Sequence, residues 1–194
     1  MPVFMKMIFL EYVVLAVCSA SVAAVAQATF ALQNLDPNTP VYDWTGNPLC
    51  GADWRIELYG AAEANSLSPV VAFGGSSEPI IIPLVGPGYF QYRSSAGDPA
   101  VISVPAGGWA WLQVKVWDLQ LGATYEQALA RGQGGYGQST LFYAQGGNPV
   151  ASTPTAPQPL TGLASFSVLQ PVPEASTWAL LALGLGALVC CRGR

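Results

Sequence analysis

The residues best placed to do chemistry lie on one run, Trp109-Ala110-Trp111-Leu112-Gln113-Val114-Lys115-Val116-Trp117-Asp118. In an extended strand side chains alternate between faces. Ala110, Leu112, Val114 and Val116 then share an apolar face, while Trp109, Trp111 and Trp117 share the other with Gln113 and Lys115. If that second face is open to water, its indoles are flat apolar surfaces flanked by polar groups, suited to stacking on sugar rings in a polysaccharide. The competing expectation is burial of both faces beneath a long loop or a helix, and bulk argues for it, since tryptophan fills cores efficiently.

Catalysis has little else to work with. The chain contains no histidine, which removes the usual general base and the commonest metal ligand together. Glu57 with Glu63 or Glu126 would form a carboxylate pair of the kind used in glycoside hydrolysis, but no spacing motif supports it. Asp36, Asp43, Asp53, Asp98 and Asp118 fall near turns, where carboxylates usually cap backbone amides, and no spaced D-x-[DN]-x-[DN]-G array marks a calcium loop. The run Gly132-Gln133-Gly134-Gly135-Tyr136-Gly137 lacks a following Lys-Ser/Thr, so it reads as a flexible turn and not a phosphate loop. Cys18, Cys190 and Cys191 lie near the ends, leaving Cys50 alone in the middle as a small buried hydrophobe or an unpaired thiol able to link two molecules. The seven Lys and Arg are scattered and the net charge is −4, so no basic patch exists for nucleic acid. These residues predict a non-catalytic protein without cofactor or metal site.

The elements that must position such residues are strands. From Thr29 to Gln170, short apolar or alternating runs are separated by Gly, Pro, Asn and Ser at intervals near ten residues, the pattern of an all-β fold. Trp54-Arg55-Ile56-Glu57-Leu58-Tyr59 alternates as a half-buried strand, and further runs end at Ala164 to Leu169. The prediction is an Ig-like or jelly-roll-type β-sandwich of about seven or eight strands. One short helix interrupts it: Thr124 followed by Gln127 forms a capping-box pattern, and Gly132 can take the left-handed stop. Residues 146–159, with Pro149, Pro154, Pro157 and Pro159, form a Pro-rich loop or linker.

The two ends differ in kind from this middle. Charged residues make up only 9% of the chain against about 25% in ordinary globular proteins, and much of the apolar excess is terminal. Residues 1–28 read as a signal peptide, with Lys6 in the basic region, an apolar stretch from Ile8 to Ala26, and Ala26-Gln27-Ala28 as small residues at a cleavage site. Glu11 is an unfavourable charge in that stretch, and Leu15-Ala16-Val17-Cys18 approaches a lipobox but has Val17 where a smaller residue normally precedes the cysteine. Domain 29–170 follows. Residues 171–194 comprise Pro171-Val172-Pro173-Glu174-Ala175-Ser176-Thr177, an apolar segment 178–191, and a basic terminus with Arg192 and Arg194. Fourteen helical residues would span about 21 Å, short of the roughly 30 Å hydrocarbon core, which suits a processing signal more than a permanent anchor.

This tail resembles the PEP-CTERM sorting signal, on Val172, Pro173, Glu174, Ala175 and Ser176, the transmembrane helix that follows, and Arg192 and Arg194. The second proline of that motif is here Ala175. The resemblance implies processing by an exosortase close to Pro173-Glu174, membrane association until then, and delivery to the cell envelope, cell surface or extracellular matrix. The domain between loosely resembles the β-rich bodies carried by such proteins, through Val41-Tyr42-Asp43, Leu49-Cys50-Gly51-Ala52-Asp53-Trp54, Glu57-Leu58-Tyr59-Gly60 and Val116-Trp117-Asp118. That likeness implies no established activity; it is the indole strip of Trp109, Trp111 and Trp117 that offers extracellular polysaccharide as a partner.

Overall fold

The computed structural model describes residues 27–74, 77–93 and 97–172. The apolar leader up to Ala26, the sorting residues Pro173, Glu174, Ala175 and Ser176, the transmembrane segment 178–191, and Arg192 and Arg194 lie outside the described residues. No helix among the described residues is long and apolar enough to cross a membrane.

The described residues are mostly β, in two antiparallel sheets with one α-helix. The larger sheet is built on β2 (Trp54–Ala61) and β8 (Trp109–Asp118), paired without interruption from Trp54↔Asp118 to Ala61↔Trp111. β3 (Ser68–Pro69) and β5 (Ile81–Gly86) pair with β2, β6 (Tyr89–Phe90) extends β5, and β9 (Tyr136–Gln138) and β10 (Phe142–Gln145) share the other edge of β8. In the smaller sheet β7 (Pro99–Pro105) lies between β1 (Gln27–Thr29) and β4 (Val71–Ala72). Ten strands are therefore present among the described residues, more than expected, because β1, β3 and β9 are only two or three residues long, too short to leave a periodic signal.

One apolar cluster joins the sheets. Ile56 and Leu58 of β2 and Ala110, Leu112, Val114 and Val116 of β8 meet Ala28 of β1 and Val101 and Val104 of β7, with Phe30, Leu32, Leu49 and Phe90 filling the ends. The even face of β8 is buried as its alternation requires. At Gly60 an added Cβ would stand 2.6 Å from Val101, so the sheets touch where β2 has no side chain. Asn34, wholly buried, ties the loops: its amide donates to the Thr39 and Gly88 carbonyls and its oxygen accepts from the Phe90 N–H.

Two local expectations are corrected. The strand expected at Ala164–Leu169 forms no ladder; it makes a single parallel bridge at Ser167 to Tyr42, while Leu163 and Val168 are buried. The alternation there records anchoring of an extended segment to the core, through Tyr42 N–H to the Phe166 carbonyl and Val168 N–H to the Tyr42 carbonyl. Strand β2 is not half-buried: Glu57 and Tyr59, on its polar face, are 2% and 5% exposed. The Pro-rich segment is part of the body, since Gly147 exchanges two backbone hydrogen bonds with Thr29 and Gln158 accepts from the Ala31 N–H. The expected domain start at Thr29 falls inside β1, whose Ala28 is wholly buried.

Candidate functional site

The outward face of β8 is divided by the helix. α1 (Tyr125–Arg131) begins where Thr124 Oγ1 accepts from the Gln127 N–H at 3.3 Å and ends at Gly132 in the left-handed conformation, φ 66°. Gln127 returns its side-chain oxygen to the Ala123 N–H at 2.8 Å, one residue before the capping residue. Glu126 and Arg131 sit at the ends that the helix dipole favours. This short helix lies across the C-terminal half of β8.

Beneath it, Trp117 is wholly buried. Its indole N–H donates to the Gly122 carbonyl at 3.0 Å, and its ring meets Tyr125 edge-on at 6.4 Å; Tyr125 in turn meets Tyr136 edge-on. The expected strip of Trp109, Trp111 and Trp117 is thus corrected: Trp117 packs under α1 and has no accessible surface for a ligand. The sequence places the three indoles on one face, but it cannot show that a helix eight residues later folds back over one of them.

The middle of the face is an ionic cluster. Lys115 Nζ lies 3.2 Å from Glu126 Oε1 and 3.5 Å from the Tyr59 ring centroid, and Tyr59 Oη donates to the same carboxylate oxygen at 2.6 Å. Glu57, opposite Lys115 in register, is pushed up to about 7 by burial, with the Glu126 charge adding to it and Tyr59 and Lys115 opposing. Burial also acts on Glu126, but hydrogen bonds from Tyr59 and Lys115 outweigh it and hold that carboxyl below its ordinary value. Glu57 and Glu126 are therefore brought together around Tyr59, whereas Glu63 is exposed on a turn. The cluster is plugged by its own Lys and Tyr side chains.

The N-terminal half of the face is open. Trp109 and Tyr143 are 51% and 49% exposed, and their rings stack at 5.3 Å with planes 20° apart. Trp111 is half-buried and meets the same Tyr143 ring at 5.0 Å with a tilt of 42°. Tyr143 comes from β10, directly opposite Trp111, so the aromatic group spans two strands. Gln145, opposite Trp109, flanks it with its amide held to the Gly107 carbonyl, and Leu141 is exposed near the same edge. Tyr143 was not legible as a partner because 32 residues separate it from Trp111 and only strand pairing joins them.

The remaining candidates have local duties. Asp43 accepts from the Thr45 N–H and hydroxyl and from the Asn47 N–H, closing a turn, and the Thr45 hydroxyl heads the causes that, against some burial, hold its carboxyl low. Asp118 caps the 3-10 turn Leu119–Leu121 through the Gln120 N–H, and Asp53 accepts from the Gln120 amide. Among the described residues no group of three or more His, Cys, Asp or Glu converges as metal ligands do. Cys50 is exposed, not buried, with its thiol against the Pro48 carbonyl and a shallow cleft of Gly51, Leu84, Val85 and Pro87 beside it.

Comparison of the chain with protein-family models, with curated proteins and with solved structures finds no match.

Proposed function

We propose that this chain is a non-catalytic exported protein of the cell surface or extracellular matrix, sorted by an exosortase-type system, and that it binds polysaccharide through Trp109, Trp111 and Tyr143. The two sheets are read as an Ig-like or jelly-roll β-sandwich that holds this group rigidly. The observation that carries the binding reading is the half-exposed Trp109–Tyr143 stack. Exposed indole and phenol rings lose apolar surface to water when a sugar ring covers them, and clustered aromatics are retained on surfaces where a partner repays that exposure. Lys115, the basic residue on the same strand face, is paired with Glu126. The chemistry therefore favours a neutral glycan over an acidic one.

The non-catalytic reading is supported by the arrangement of Glu57 and Glu126: Glu57 is buried, and the Glu126 carboxylate is already engaged by the Tyr59 hydroxyl and the Lys115 ammonium. Retention of the purified secreted protein on insoluble neutral glycans tests binding. Trp109→Ala and Tyr143→Ala are expected to lower retention roughly two- to twelvefold with little change in unfolding midpoint, as one lost stacking contact is worth about 0.5–1.5 kcal/mol. Trp117→Ala is expected to destabilise the fold by about 3–5 kcal/mol instead. Equal retention by wild type and both surface variants removes the glycan reading.

A further inference from the structure

Strand β1 starts two residues before the cut implied by Ala26-Gln27-Ala28, which would leave Thr29 as the first residue of the mature chain. Thr29 is wholly buried. Its N–H donates to the Gly147 carbonyl at 3.2 Å and its carbonyl accepts from the Gly147 N–H at 2.8 Å. A cut before Thr29 would convert that paired amide into an ammonium facing the Gly147 carbonyl, in the space Ala28 fills in the uncut chain, where a charge is costly to desolvate.

The same cut would remove Ala28, wholly buried, paired with Val101 and packed so closely on Gly146 that a Cβ there would stand 2.5 Å from the Ala28 Cβ. Gln27, by contrast, is only half-buried, and it pairs with Pro105 at the end of β7. An ammonium on Gln27 can stay hydrated. One step earlier in the chain, Ala24-Val25-Ala26 offers small residues at the same two positions relative to a cut before Gln27.

We propose that the leader is removed between Ala26 and Gln27, so that the mature chain keeps the whole of β1. The inference rests on the export reading above. A membrane-bound signal peptidase adds water across the Ala26–Gln27 amide, leaving a carboxylate on Ala26 and an ammonium on Gln27. The fold does not direct this cut, since the peptidase meets an unfolded chain; the fold requires it, since a product starting at Thr29 lacks the packing of Ala28. The freed Gln27 amine can then attack its own side-chain amide carbon, closing a lactam and expelling ammonia.

The test is production of the full chain in a bacterial host with Sec export and identification of the N-terminal peptide of the envelope product by mass spectrometry. The expected terminus is Gln27, free or as its lactam. A terminus at Thr29, or at any residue other than Gln27, overturns the proposal. A product retaining Met1 inside the cell overturns the export reading and this boundary with it. Ala24→Phe separates the two cuts, because Ala24 is the outer small residue only for the cut before Gln27. The yield of product starting at Gln27 is expected to fall about tenfold or more in that variant, and an unchanged yield of that terminus overturns the proposal.

Discussion

Glu57 illustrates how a single residue acquires properties its neighbours in sequence do not announce. Alternation places it on the polar face of β2, yet the helix, Tyr59 and Lys115 close over it, and burial raises its carboxyl from 4.5 to about 7. Between those values the folded chain holds a proton that the unfolded chain has released, so stability falls as pH rises from about 4.5 to about 7 and is level above that. The loss is on the order of 3 kcal/mol, since each tenfold difference in proton affinity between the folded and unfolded chain is worth roughly 1.4 kcal/mol. Glu126 acts in the opposite sense, with a contribution that is lost as pH falls through its lowered value. Glu57→Gln is expected to flatten the decline across this window and to be more stable than wild type at about pH 8. Urea unfolding at about pH 5 and about pH 8 checks this; an undiminished difference in the variant would assign the pH dependence to another group. At this scale the sequence made Glu57 visible as a carboxylate but not as one that titrates near neutrality, because its environment comes from β8 and α1.

At the scale of elements, local chemistry was legible and docking was not. Thr124, Gln127 and Gly132 mark both ends of α1, because caps are satisfied within a few residues. Where the helix lies depends on Trp117, Tyr125 and Tyr136 meeting across three elements. The glycine loop after the helix has a comparable hidden role. Gly134 has φ 72°, and an added Cβ would overlap the Gln170 carbonyl oxygen at 1.9 Å; beside it the Val172 N–H donates to the Gln133 carbonyl and the Gly135 N–H to the Leu169 carbonyl. Gly132 has φ 66° but an added Cβ there meets nothing within 4 Å. Gly132→Ala is therefore expected to cost about 1 kcal/mol in backbone strain. Gly134→Ala is expected to do more and to release residues 170–172, with amide exchange at Val172 accelerated at least about tenfold in Gly134→Ala only. Equal exchange in the two variants would show that the segment is not held by this loop.

At the scale of the whole molecule, the last described residue, Val172, is 63% exposed and lies against the glycine loop, next to the Pro173-Glu174 of the sorting-signal resemblance. On the sorting reading, the exosortase must therefore work within reach of the folded surface, without a long stalk between. Intact-mass analysis of the product is expected to lack the apolar segment 178–191 and the basic terminus in a host with an exosortase, and to retain both in a host without one. A mass that includes Trp178 to Arg194 in the exosortase host would end that reading.

What the sequence by itself determined is local: the all-β class, the alternation of β8 with its buried even face, and the caps of α1 follow from periodicity and from hydrogen bonds closed over a few residues. The absence of histidine and of a second cysteine in the middle of the chain likewise narrows the chemistry before any fold is known. The tertiary structure decided which members of a face see water. It withdrew Trp117 beneath α1, brought Tyr143 to Trp109 and Trp111, enclosed Glu57, and claimed Ala28 for the core. The physical reason is common to all four: exposure is a property of what packs against a residue, and those neighbours lie on strands and a helix paired across long separations in the chain.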